Sequence, residues 1–88
     1  MKIKEGFALK KIAGNWVALP LAEKTLDFTG MLTLNDSGQM LWQLLVNGCT
    51  RTELAESLVT EYEVTYDEAL ADVDEYLQML SRAGCLDD

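Results

Sequence analysis

The chain has 88 residues, a net charge of −8 and no histidine. That length makes one domain, residues 1–88, with a modest core, and 49% hydrophobic with 25% charged residues is a globular composition rather than a disordered one. No apolar run approaches the roughly 20 residues of a membrane span, and the lack of histidine argues against zinc hydrolysis and Ser-His or Cys-His catalysis.

The N-terminus, MKIKEGFALKK, has charges on both sides of Phe7 and no apolar core, so it does not read as a signal peptide. A cytoplasmic location is the default expectation. Phe7–Ile12 reads as a strand, blurred by Lys10 and Lys11. Gly14-Asn15 supplies a tight turn, which Ala13 could extend, and Trp16–Leu19 is a second strand ended by Pro20. Leu21–Gly30 is a polar connection anchored by Leu26 and Phe28. Met31–Leu34 is a short third strand, with Thr33 facing away from Leu32 and Leu34.

Three helix starts follow. The first lies at Asn35-Asp36-Ser37: Asn35 or Asp36 can cap it, and Asp36 has Gln39 at capping-box spacing. Its stripe is Met40, Leu41, Leu44 and Leu45, with Trp42 beside it, and Asn47-Gly48 stops it. Thr50-Arg51-Thr52-Glu53 is a capping box that opens a second helix, ending near Glu61 or Tyr62. Thr65-Tyr66-Asp67-Glu68 opens the third, with two acids in the first turn where the helix dipole favours them. Its stripe is Ala69, Leu70, Val73, Tyr76, Leu77 and Leu80, and Gly84 ends it after about five turns. The expected architecture is α+β: a three-stranded antiparallel sheet followed by three helices, in a winged helix-turn-helix-like arrangement.

Charge is segregated. Residues 1–24 carry five lysines against Glu5 and Glu23, or +3; residues 25–88 carry Arg51 and Arg82 against thirteen acids, or −11. An acidic helical body repels phosphate, so nucleic acid is a poor partner. The run Asp67, Glu68, Asp72, Asp74, Glu75 reads first as a solvated helix face, with contact to a basic peptide or partner as the functional alternative. Cys49 and Cys85 are 36 positions apart and form no metal-ligand pair; they read as free, partly buried thiols. Trp16 and Trp42 read as core, and Met31, Met40 and Met79 as packing rather than a cofactor box.

The order Leu34-Asn35-Asp36, Met40-Leu41-Trp42-Gln43-Leu44-Leu45, Gly48, Thr50-Arg51-Thr52-Glu53-Leu54, Leu58, Tyr62-Glu63-Val64, Asp67-Glu68, Val73 to Leu80 and Gly84-Cys85-Leu86 resembles the pyrroloquinoline quinone biosynthesis protein D (PqqD) family over residues 31–88. The family often has Asp-Gly in place of Asn47-Gly48 and leucine in place of Cys85. Both changes keep the turn and the apolar contact. The resemblance implies a non-catalytic peptide-recognition module with no cofactor of its own. Such a module binds the leader of a ribosomally made precursor peptide as an added β-strand and delivers it to a modifying enzyme, often a radical SAM protein. The leader docks on the free edge of the third strand, against the third helix. Placed by helical phase, the peptide-binding residues of this chain would be Met31, Leu32, Thr33 and Leu34 on the strand and Ala69, Asp72, Val73 and Tyr76 on the helix.

Two other readings compete. One is a winged-helix DNA-binding regulator, which the excess of acids on the helices disfavours. The other is a protein–protein interaction module that dimerises through its open edge. No nucleophile–base pair supports an enzyme.

Overall fold

The first turn is made by two consecutive residues with positive φ, Ala13 at 51° and Gly14 at 83°. That geometry joins antiparallel strands whose twist matches the turn. It links β2 (Phe7–Ile12) to β3 (Asn15–Pro20), and Ile12 faces Asn15 across it. The turn is therefore Ala13-Gly14, one position earlier than Gly14-Asn15, and Asn15 opens the second strand. The structure is a computed structural model that describes residues 1–20 and 32–87. The expected connection Leu21–Gly30, with its anchors Leu26 and Phe28, and Met31 lie outside the described residues.

β3 also pairs antiparallel with β4 (Leu32–Leu34), in register Trp16 with Leu34, Val17 with Thr33 and Ala18 with Leu32. The three-stranded sheet has the order β2-β3-β4. Three helices follow: α1 (Asp36–Val46), α2 (Arg51–Glu61) and α3 (Tyr66–Arg82). The α+β class, the three-stranded antiparallel sheet and the three helices agree with the sequence expectation.

Side chains explain the helix starts. At α1 the cap is Asn35, whose Oδ1 accepts from the Gly38 amide at 2.8 Å and the Ser37 hydroxyl at 3.0 Å. At α2 and α3 both capping boxes form. The Glu53 amide donates to Thr50 Oγ1 and the Glu68 amide to Thr65 Oγ1, each at 3.1 Å. Glu53 and Glu68 reach back to the Thr50 and Thr65 amides at 3.0 and 3.3 Å. Each box satisfies backbone donors that a helix start leaves free.

The core lies between one face of the sheet and the helix stripes. Ala18 and Leu34 come from the sheet; Leu41, Trp42 and Leu45 from α1; Leu54, Ala55 and Leu58 from α2; Ala69, Val73 and Leu80 from α3. Trp42 is buried at its centre, whereas Trp16 is half-buried at the margin with the Lys11 ammonium 5.5 Å from its ring centroid. Both tryptophans thus pack, but only Trp42 is enclosed. Among the described residues no helix is long and apolar enough to cross a membrane.

The chain ends add a feature without a local sequence signal. β1 (Lys2–Ile3) pairs antiparallel with β5 (Leu86–Asp87). The Lys4 amide donates to Cys85 O at 2.8 Å, and the Cys49 amide to Met1 O at 2.9 Å. Ile3 is buried in the core. The first residues therefore fasten the end of α3 to the α1–α2 turn. Cys85 is fully buried, and burial pushes its thiol up to about 11. Cys49 is half-buried with its thiol also raised by burial, and both cysteines are free.

The exposed acids are not equivalent. Arg51 clamps Asp74 in a two-point ion pair, Nε to Oδ1 at 2.5 Å and Nη2 to Oδ2 at 2.8 Å, which joins α2 to α3. Hydrogen bonding by Arg51 holds Asp74 below its ordinary value of 3.8, and the Thr50 amide and hydroxyl hold Glu53 below 4.5. A carboxylate lowered on folding stabilises the fold above its unfolded value, and this contribution is lost as pH falls through the folded value. The urea midpoint is therefore expected to drop between neutral pH and about pH 3. A Glu53→Gln, Asp74→Asn double variant should show a shallower drop over the same range, and an unchanged slope would contradict the assignment.

Candidate functional site

Among the described residues β4 pairs only with β3, so its other edge presents main-chain N–H and C=O groups. Leu34 points into the core, Thr33 is exposed and Leu32 is half-buried. Leu32 borders a cleft of 530 Å³ whose far wall is α3 and the residue after it, through Glu75, Gln78, Met79, Arg82 and Ala83.

A second cleft, of 720 Å³, adjoins the first and shares Glu75 and Met79 with it. It lies between the start of α1, the α2–α3 connection and α3. Leu41, Leu58 and Val64 form an apolar floor, Tyr62 and Tyr76 supply aromatic walls, and Asp36, Asp72 and Glu75 supply carboxylates. The two clefts make one groove along α3.

Tyr76 stands at the back of this groove. Its hydroxyl donates to Gly38 O at 2.7 Å, and burial pushes the phenol well above its ordinary range, so it stays a donor. Gly38 has little room for a side chain. A Cβ there would lie 3.1 Å from Asn35 Oδ1 and 3.3 Å from both Leu34 Cβ and Tyr76 Cε1. The contact joins β4, the first turn of α1 and the middle of α3.

The residues expected from sequence divide clearly. Leu32, Asp72 and Tyr76 line the groove. Thr33 is exposed on the strand, while Leu34 faces the core. Ala69 and Val73 have no exposed surface and belong to the core, where α2 packs along α3. Met31 lies outside the described residues. The Tyr76 hydroxyl donates to Gly38 O. Helical phase thus set the wall slightly off: the groove flank runs 72, 75, 76, 79, with 78 and 82 beyond. The spacing of Asp72, Glu75, Tyr76 and Met79 was the signal available, since residues three and four apart share a helix face.

Chemically, the groove offers main-chain hydrogen bonds, an apolar floor and fixed charges, which suits an extended peptide. The thiols, raised by burial, stay protonated near neutral pH.

The chain was compared with known proteins. The family model described as coenzyme PQQ synthesis protein D (PqqD) matches residues 16–86. No curated protein matches the chain. A solved structure described as TbiB1 in complex with the TbiA(beta) leader peptide superposes with a TM-score of 0.79 at 24% identity, covering 99% of this chain and 95% of that one. Another, lasso peptide synthetase B1 complexed with the leader peptide, gives 0.75 at 21% identity, covering 96% and 93%. At these identities the likeness establishes a shared fold.

Tyr76→Phe removes the donor to Gly38 and is expected to cost about 1 kcal/mol. That should lower the melting temperature by about 4–8 °C. Gly38→Ala would ordinarily gain about 0.5–1 kcal/mol from helix propensity. Here a Cβ would crowd Asn35, Leu34 and Tyr76 by a few tenths of an ångström, and the expected outcome is destabilisation. Thermal melts followed by circular dichroism check both; a stabilised Gly38→Ala would show that the junction is loose.

Proposed function

The chain belongs to the PqqD family, and on that premise we propose that it is a peptide-binding adaptor that recognises the leader of a ribosomally made precursor peptide. The leader pairs with the outer edge of β4 as an added strand and lies in the groove along α3. The module carries no chemistry itself and presents the rest of the precursor to a modifying enzyme, of the radical SAM class.

The observation that carries this reading is the open edge of β4 beside the groove bordered by Leu32, Glu75, Met79 and Arg82. Strand addition draws affinity from main-chain bonds, which tolerate sequence variation, and selectivity from side-chain pockets beside the edge. Support also comes from the two chains of the same fold, whose structures are described as leader-peptide complexes. The regulator reading fares worse. α2 sets Arg51 against Glu53, Glu56 and Glu61, and α3 sets Arg82 against Asp67, Glu68, Asp72, Asp74 and Glu75, a poor surface for phosphate.

Thr33→Pro tests the mechanism, because proline removes a backbone donor from the strand and distorts its edge. With the precursor peptide encoded beside this protein as ligand, calorimetry should show binding by the parent chain and none by Thr33→Pro, while circular dichroism stays that of a folded protein. A folded Thr33→Pro that binds with unchanged affinity would overturn edge pairing.

A further inference from the structure

The floor and rim of the larger cleft do not match in polarity. Leu41, Leu58 and Val64 lie beneath, while Asp36, Asp72 and Glu75 stand at its walls. Among the described residues lining this cleft, none is basic. The ion pair of Arg51 with Asp74 leaves these three carboxylates uninvolved. The N-terminus of α1 opposes them with about half a unit of positive charge. Three full charges outweigh that.

The other end of the groove differs. The smaller cleft contains Arg82, seven residues beyond Glu75. At about 1.5 Å of rise per residue this places Arg82 about 10 Å farther along the helix. Glu75 lines this cleft too, so along one helix flank the groove runs from negative to balanced charge, with Arg82 at its far end.

We propose that the larger cleft is a specificity pocket for a lysine or arginine of the bound peptide, and that the charge gradient fixes which way the peptide lies. This deepens the peptide-binding reading above and rests on it. An apolar floor under a carboxylate rim fits a long basic side chain better than a purely apolar one: the methylene stem covers Leu41, Leu58 and Val64 while the cationic head stays at the rim. An acidic side chain of the same peptide then meets Arg82. Asp72 and Glu75 lie about 15 and 10 Å before Arg82 along α3, and an extended strand advances about 3.3 Å per residue, so the basic and acidic positions are about three to five residues apart. Within that range a spacing of four puts both side chains on the same face of the added strand.

The test uses the full chain, immobilised, and a random peptide library displayed on phage. Enriched peptides should carry Lys or Arg with Asp or Glu about four positions away. An Asp72→Asn, Glu75→Gln double variant is nearly isosteric at exposed positions and should fold normally. It should lose the basic enrichment and bind a synthetic selected peptide about fivefold more weakly. Added salt should erase most of that difference, since exposed charges are screened beyond about 8 Å at physiological ionic strength. Peptides that need an intact Thr33 yet show no charge preference, or keep it in the double variant, would overturn the pocket and leave the adaptor reading standing. A folded chain that enriches no peptide at all would overturn both.

Discussion

One hydrogen bond holds the geometry of the groove. The Tyr76 hydroxyl reaches 38 positions back to Gly38 O, and its ring lies against a backbone where a Cβ would be crowded. Leu34 closes the same junction from the strand side. Strand β4, the first turn of α1 and the middle of α3 therefore meet at one tightly packed point. The width of the groove between β4 and α3 follows from that contact. So does the position of the larger cleft, which opens in front of it.

The capping chemistry works toward the same end. Asn35 fastens the start of α1 directly after β4, so the strand edge and the helix leave one point in fixed directions. Thr50 with Glu53 and Thr65 with Glu68 fix the starts of α2 and α3. The bidentate Arg51–Asp74 pair then ties α2 to α3 on a face away from the groove. One basic side chain thereby binds one member of the acidic run and leaves Asp72 and Glu75 for the cleft. The acidic run is neither uniformly solvated nor uniformly functional. Glu68 caps, Asp74 bridges, and Asp72 and Glu75 line the groove.

Legibility in the sequence followed the range of the signal. The helix starts and stops could be read because a capping box or a terminal glycine acts over a few residues, and the observed caps are Asn35, Thr50 and Thr65. Residues lining the groove could be found where helical spacing alone decided, as at Asp72 and Tyr76. Ala69 and Val73 lie in the core, which spacing could not tell because the apolar stripe of α3 is wide and its phase does not say which flank meets α2. The β1–β5 pair left no trace, since two-residue strands have no period and Lys2 meets Asp87 across almost the whole chain. The hairpin turn was shifted by one because Ala13 adopts a conformation that alanine rarely takes.

The central claim is that a peptide completes the open edge of β4. Amide hydrogen exchange, followed by mass spectrometry with and without the neighbouring precursor peptide, addresses it most directly. Strand addition predicts slower exchange at the Thr33 amide when the peptide is bound, because the Leu32 and Leu34 amides already face β3 and Thr33 carries the outward N–H that acquires a partner. Tight binding with no change there, or protection confined to β1 and β5, would contradict the account.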